Sequence, residues 1–274
     1  MKTPSTILNA NRHSLLGIRL DALSNAEMVR LMADTIVAGK SYVIGNHNMH
    51  SLYMWHREPK MREFFASADC VYIDGMALIL LGRMVGLPLK RRHRASLLDF
   101  LPSFAAEAAT NEWRIFSLGS KPGVGEKAAE RLRQQFPGLQ IRTHHGHFDA
   151  AKSSRENQAV LAEINAYAPH LLMVGMGMPR QELWILENRA DLTANVITST
   201  GATMDYIAGI KSPAPRWLGQ LYLEWFYRLI TEPARLSGRY LVEPWFVIGK
   251  MASQQLRNKW HAIAVASVAS GVTK

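Results

Sequence analysis

The sequence predicts an α/β protein: a Rossmann-like, mostly parallel sheet with helices on both faces, followed by a C-terminal helical appendage. Three observations carry this. Five or six short apolar runs alternate with segments of helical periodicity, and each run stops at a cluster of glycines or polar residues. After Ser212-Pro-Ala-Pro215 the strand pattern ends and aromatic, basic, amphipathic segments take over. The boundaries that follow are a loose N-terminus over 1–14, an α/β domain over 15–211 and the appendage over 212–274.

Taken in order, Ser14 to Leu20 reads as an edge strand, and Ser24-Asn-Ala-Glu27 as a capping box that opens a helix to about Ala38. Tyr42 to Ile44 is a strand, and the polar Gly45-Asn-His-Asn48 after it forms a candidate pocket lip; capping accounts for one asparagine but hardly for both. Glu58 to Ala68 is helical. Asp69 to Ile73 is a strand that stops at Asp74-Gly75, where a carboxylate is placed for proton transfer or for capping the helix Met76–Val85. Lys90-Arg-Arg-His-Arg94 is a basic run of a kind that suits a phosphate, and Asp99 to Thr110 is helical. Trp113 to Leu118 and Ile141 to Thr143 are further strands, with a helix to about Gln135 between them. His144-His-Gly-His147 invites a zinc reading, but no Cys, Glu or further His stands at ligand spacing, so no metal is expected. Asn157 to Ala166 is a helix, and Asn195 to Thr198 a strand ending at Thr200-Gly-Ala-Thr-Met-Asp205.

The stretch around which the chain is organised is Leu171-Leu-Met-Val-Gly-Met-Gly-Met-Pro-Arg-Gln-Glu182. A buried strand breaks into Gly175-x-Gly177, and Pro179 is predicted at the first position of the helix that carries Leu183 to Leu186. Glycines at such a turn admit a ligand to the backbone, and the helix N-terminus favours an anion. Every polar cluster named so far follows a strand, on the edge where open α/β sheets bind ligands.

Composition narrows the class. The 274 residues, 48% hydrophobic and 20% charged, describe a globular chain of one large or two small domains. The single cysteine, Cys70, lies in an apolar run and excludes an internal disulfide, which fits a reducing cytoplasm. There is no charged-then-apolar leader and no run of about 18 apolar residues, so neither export by that route nor a spanning helix is expected. From Gly209 onward nine Lys and Arg face three Glu, so this last quarter carries +6 of the net +10. Interleaved with Trp217, Trp225, Phe226, Tyr227, Trp245, Phe246 and Trp260, these charges suit an anionic bilayer or nucleic acid. Two readings compete with the enzyme proposed below. A dinucleotide-dependent oxidoreductase lacks its third glycine and the acidic ribose ligand, and a non-enzymatic module for nucleic acid or membrane leaves Asp74, Gln181 and Asp205 unexplained.

Several segments together resemble the WecG/TagA/CpsF glycosyltransferases. They are Asn46-His-Asn48, Ala68-Asp-Cys-Val-Tyr-Ile-Asp-Gly75, Phe116-Ser-Leu-Gly119, Val174 to Glu182, Gly201-Ala-Thr-Met-Asp-Tyr-Ile-Ala-Gly209 and Leu223 to Arg235, in family order from about residue 17 to 243. The resemblance implies an inverting, metal-independent enzyme without a cofactor. It would move a hexose (N-acetylmannosamine, its uronic acid, glucose or similar) from a UDP-sugar to an undecaprenyl-diphosphate-linked saccharide in cell-surface polysaccharide biosynthesis. It also implies a cytoplasmic protein, peripheral on the inner face of the membrane, with no nucleic-acid partner; self-association is left open.

By the same resemblance Asp74 is the base, Asn48 lies beside it, and Asn46 stands where the family often has threonine. Arg94 steadies the diphosphate, and Gln181 and Asp205 line the nucleotide pocket, beside the Gly175-x-Gly177 turn already read as a ligand-binding backbone. Arg228 and Arg235 reach toward the diphosphate from an appendage that closes the site and touches the membrane. The charge inventory agrees, because a departing diphosphate needs positive charge and none of the eight aspartates forms Asp-x-Asp, while arginines are plentiful. Two departures fall near the expected sugar: Leu97 replaces the glycine of the family's Arg-x-x-Gly-x-Asp element, and Pro213-Ala-Pro215 replaces its Arg-Ala-Pro, with Lys211 or Arg216 to supply that charge.

Overall fold

The computed structural model describes residues 8, 11–215, 218 and 223–253, and of Arg235 the backbone alone. Packing divides the chain into two compact units. One holds Arg19–Pro213 with the residues before Ser14, and the other holds Ser14–Ile18 with the residues from Ala214 on.

The first departure from expectation is at the start. Ser14 to Leu20 is not one strand but parts of two, β1 (Arg12–Leu15) and β2 (Ile18–Asp21). Leu16 and Gly17 between them both take positive φ, 52° and 89°. Two consecutive left-handed residues make the tight turn whose twist suits a hairpin. Leucine is an uncommon first residue for such a turn, which is why the apolar run reads as continuous.

The next helix, α1 (Asn25–Val37), opens on the expected capping box: the Ser24 side chain accepts from the Glu27 N–H, and Glu27 Oε2 accepts from the Ser24 N–H at 2.8 Å. β3 (Tyr42–His47) runs three residues further than the apolar pattern suggests, so Asn46 and His47 belong to the strand. α2 (Met49–Arg57), α3 (Pro59–Ser67), β4 (Cys70–Ile73) and α4 (Met76–Met84) follow. A short 3-10 turn, Arg91–His93, leads to α5 (Leu97–Thr110) and β5 (Arg114–Gly119). Then come α6 (Val124–Gln135), β6 (Gln140–His144), α7 (Arg155–Tyr167) and β7 (Leu171–Gly175). α8 (Arg180–Asn188), β8 (Val196–Ser199) and α9 (Thr203–Ile207) complete the first unit. Pro179 caps α8 instead of occupying its first turn.

The eight strands form one sheet in the order β1-β2-β4-β3-β8-β7-β5-β6. Pairings from β2 across to β6 are parallel. After β4 the chain crosses to β5 and β6 and works back inward, so β3 and β8, distant in sequence, lie side by side. Alternate strand residues feed two cores. Ile44, Cys70, Tyr72, Ile115, Leu171, Met173 and Val196 face α1, α5 and α6. Val43, Val71, Phe116, Leu118, Leu172, Val174 and Ile197 face α3, α7 and α8. Burial on both faces explains why the strands read as continuous apolar runs without polar alternation.

In the second unit α10 (Glu224–Thr231) gives way at Glu232 to α11 (Pro233–Leu241), and residues 243–253 are helical. Pro233 starts the new helix because a proline is tolerated in the first turn and not beyond it. Trp225 packs on Tyr240 with ring centroids 6.1 Å apart. Leu236, Val247 and Met251 are buried, whereas Phe226, Ile230, Leu241, Val242 and Trp245 are exposed. The helix expected from Trp217 is described only from Glu224. Arg216, Trp217, Arg257, Lys259, Trp260, Lys274 and the helix expected to about Ala269 lie outside the described residues, as does the Arg235 side chain. Among the described residues no helix is long and apolar enough to cross a membrane.

Candidate active site

Three of the residues singled out from sequence converge where β3 and β4 end. The strands pair in register, His47 opposite Ile73, and the Asp74 N–H donates to the His47 carbonyl at 2.9 Å. The residues just past the two strands, Asn48 and Asp74, therefore stand side by side. Packing there is close: a Cβ on Gly75 would lie 3.3 Å from that of Asn48. On the other side of β4, beyond the end of β2, Arg94 takes the neighbouring place. It forms a parallel bridge with Ile73, and the Ala95 N–H donates to the Ile73 carbonyl at 2.9 Å. In the backbone, Asp74 thus emerges between the residue that follows β3, Asn48, and the segment that carries Arg94. Arg94 also pairs with Asp99 at 3.2 Å, so the arginine and aspartate of the altered family element remain coupled although leucine replaces its glycine.

Asn48 is held by its own helix. As N-cap of α2, its Oδ1 accepts the Ser51 N–H at 3.0 Å, and Ser51 Oγ accepts the Asn48 N–H at 2.8 Å. With Oδ1 engaged, the Nδ2 amide is the half of the side chain that can donate to a substrate oxygen. Ser51 is a supporting residue that the sequence pattern does signal, since asparagine three residues before serine can form a reciprocal cap.

Asn46 is turned into the sheet. It is buried, and its Nδ2 donates to the Ser199 carbonyl at 3.1 Å and to Ser199 Oγ at 3.2 Å, tying β3 to β8. It also hydrogen-bonds the buried Tyr72 hydroxyl, whose pKa is raised well above normal, first by burial and then by the charge of Asp74. Next to it, His47 is fully buried. Its pKa is lowered to about 3 by burial and, secondarily, by the charge of Arg19. It is therefore a neutral imidazole at any physiological pH, with Nδ1 2.9 Å from Ser51 Oγ and its ring 3.9 Å from that of Phe65.

The second cluster lies at the ends of β7 and β8. Gly177 has φ +81°, and Gly175 is crowded: a Cβ there would lie 2.7 Å from the Gly201 carbonyl. Gln181, buried at 3% exposure, points back into this turn. Its Oε1 accepts from the Gly177 N–H at 3.2 Å and the Gly201 N–H at 3.1 Å, while its Nε2 donates to the buried Glu182 at 2.7 Å. Gln181 is thus the pin between two strand-to-helix turns, and the glycines form their surface. Asp205 sits half-buried in the short helix α9, where its carbonyl accepts the N–H groups of Ile210 and Lys211. The histidine loop folds over the same edge. The Gly146 N–H donates to the Ser120 carbonyl at 3.0 Å, and Arg180 donates to the Phe148 carbonyl at 2.7 Å. His144 Nδ1 lies 2.7 Å from the His145 carbonyl. Among the described residues no three His, Cys, Asp or Glu side chains are grouped to hold a metal ion.

A carboxylate at the C-terminal end of β4, with Asn48 and Arg94 on the neighbouring segments and a glycine turn three strands away, is the layout of a group-transfer site, and comparison identifies the group. The glycosyl transferase WecG/TagA/CpsF family profile matches residues 13–261. The chain belongs to this family. It is a glycosyltransferase. Similar proteins include the N-acetylglucosaminyldiphosphoundecaprenol N-acetyl-β-D-mannosaminyltransferases of two Staphylococcus aureus strains. That of strain MRSA252 is 26% identical over 239 residues, covering 84% of this chain and 88% of the relative. That of strain NCTC 8325 is 25% identical with the same coverage. In this glycosyltransferase Arg228 lies on α10 of the second unit, half-buried.

Proposed function

We propose that this glycosyltransferase moves a hexose of the N-acetylmannosamine type from a UDP-sugar to a hydroxyl of an undecaprenyl-diphosphate-linked saccharide, with inversion and without a metal ion, in cell-surface polysaccharide biosynthesis. The observation that carries the reading is the placement of Asp74, at the end of β4, between the backbone segments that carry Asn48 and Arg94. The acceptor class is taken from the names of the similar proteins, and the UDP donor from the family resemblance.

In this mechanism Asp74 accepts the proton of the acceptor hydroxyl as that oxygen bonds to the anomeric carbon. The bond from the anomeric carbon to the diphosphate oxygen breaks on the opposite face, which inverts the configuration. Asn48 Nδ2 orients the sugar beside the base. Gly175 and Gly177 let the nucleotide approach backbone N–H groups at the turn into α8, where the helix dipole favours the diphosphate. Gln181 and Asn46 hold this surface in shape, and Asp205 borders the nucleotide. Arg94 offsets the charge of the departing UDP, a task that arginine performs without a metal. The family resemblance gives Arg228 and Arg235 the same role. The residues over 212–274 then act as an appendage that completes the site and contacts the inner leaflet; the exposed Trp245, Phe226 and Val242 support that contact. We place the enzyme at the inner face of the cytoplasmic membrane on this reading.

The test is a screen of UDP-sugars, UDP-N-acetylmannosamine first, with a polyprenyl-diphosphate-linked N-acetylglucosamine acceptor. Turnover with inverted product supports the proposal. Turnover of none, or of a dinucleotide substrate instead, overturns it.

A further inference from the structure

The helix that begins immediately after Asp74-Gly75 is apolar at every position except Arg83 in its last turn. Its buried face is Leu78, Ile79 and Gly82. At helical spacing on the opposite side stand Ala77, Leu80, Leu81 and Met84, and of these Ala77, Leu80 and Met84 are exposed, Met84 at 74%. Val85 extends the exposed apolar surface past the helix end. A helix this apolar is ordinarily buried, so its exposed Leu80 and Met84 call for a cover.

The charges around it say what kind. The chain folds back after α4, with the Leu87 N–H donating to the Gly82 carbonyl at 2.9 Å and Leu89 lying against Gly82. The 3-10 turn Arg91–His93 packs beside the same helix. Arg83, Lys90, Arg91 and Arg92 are all exposed, and Arg92 acts on the charge of Glu27. Between Asp74 and Asp99 there is no acidic residue. Protruding aliphatic side chains on a helix that carries Arg83 and packs beside the segment of Lys90 and Arg91, in a stretch of sequence without an acid, complement the anionic face of a phospholipid leaflet. A second copy of this strongly basic chain would bring like charges together.

We propose that the exposed face of α4, with Arg83, Lys90 and Arg91, is a membrane-docking surface on the catalytic unit itself, and that its occupant is an anionic phospholipid leaflet. The inference deepens the proposed function and rests on it. α4 has nine residues, so at about 1.5 Å per residue its far end lies about 13 Å from Asp74. With Leu80, Met84 and Val85 set among the acyl-chain ends of the headgroups, the helix lies along the surface and Asp74 stands at its near end, in the headgroup layer where a lipid-linked sugar projects. The surface therefore brings the base close to the headgroup layer that carries its acceptor.

The experiment uses the full chain, vesicles of phosphatidylglycerol and phosphatidylcholine or of phosphatidylcholine alone, and two acceptors: the polyprenyl-linked sugar in the vesicles and a short-chain, water-soluble diphosphate analogue. Leu80→Gln with Met84→Gln is expected to lower sedimentation with anionic vesicles and turnover of the bilayer acceptor about tenfold each, and to leave turnover of the soluble analogue unchanged. Lys90→Ala is expected to weaken anionic-vesicle binding about fivefold without affecting neutral vesicles. Unchanged vesicle binding by the double variant, with soluble turnover intact, overturns this proposal while sparing the function. So does a double variant that only loses self-association in sedimentation velocity. Absence of wild-type turnover on either acceptor would strike at the function instead.

Discussion

The Asp74 N–H donates to the His47 carbonyl at 2.9 Å, so the register of two central strands sets where the candidate base stands. His47 in turn is buried, its ring packed at a tilt against that of Phe65 and held at Ser51. The base is thereby placed by rigid elements on both sides, and a conservative change at its carboxyl leaves that backbone contact intact.

Asp74→Asn should accordingly keep the fold and the affinity for UDP and lose turnover by about 10²–10⁴-fold, the span for a general base. Isothermal titration with UDP and a product assay measure the two separately. Turnover close to the unsubstituted enzyme would remove Asp74 from the mechanism.

His47 predicts a pH dependence of stability. Its folded pKa of about 3 lies below the ordinary value of 6.5, so the unfolded chain binds a proton that the folded one refuses. The stability it contributes is complete above about pH 6.5 and falls as pH drops toward 3, by about 1.4 kcal/mol per unit. Between pH 7 and pH 5 the loss from this group is about 2 kcal/mol. His47→Gln, which cannot titrate, should show a smaller drop in urea-unfolding free energy over that interval. An equal drop in both proteins would show that His47 is not responsible.

At the other cluster, Gln181→Ala removes the acceptor shared by the Gly177 and Gly201 N–H groups. Each buried donor left without a partner costs about 1–3 kcal/mol. The expected result is a lower melting temperature together with weaker UDP binding. Gly175→Ala, which would press on the Gly201 carbonyl, should do the same. Weaker UDP binding is the decisive readout; stability loss with unchanged UDP affinity would separate these turns from the nucleotide.

Arg228→Ala and Arg235→Ala should lower turnover about tenfold or more, with liposome binding affected less, because a charge on the leaving diphosphate acts at the transition state. If both variants transferred sugar normally, the appendage arginines would have no part in departure of UDP.

Activity should also survive EDTA, since arginine and not a divalent cation is assigned to the diphosphate. Loss on chelation that manganese or magnesium restores would reverse this and return attention to His144, His145 and His147.

Much of this was legible in one dimension because it depends on local rules. The apolar runs that became strands, the capping box at Ser24 and Glu27, the glycine turn after Val174 and the helix break at Pro233 all follow from side-chain periodicity, capping and backbone restriction, which neighbours along the chain decide. The hairpin at Leu16–Gly17 was hidden because leucine seldom takes positive φ. The last residues of β3 were hidden because Asn46 and His47 are polar, and a polar residue inside a sheet is stable only when a distant partner meets it. Ser199 is that partner for Asn46, 153 positions away. Sequence could place Asp74, Asn48 and Arg94 each near an expected ligand edge. Their order side by side is a property of strand register and of the bridge from Ile73 to Arg94, contacts between segments that no local pattern encodes. The inward turn of Gln181 and the uncovered face of α4 are likewise tertiary facts, since a glutamine or a leucine reads the same in sequence whichever way the packed sheet leaves it facing.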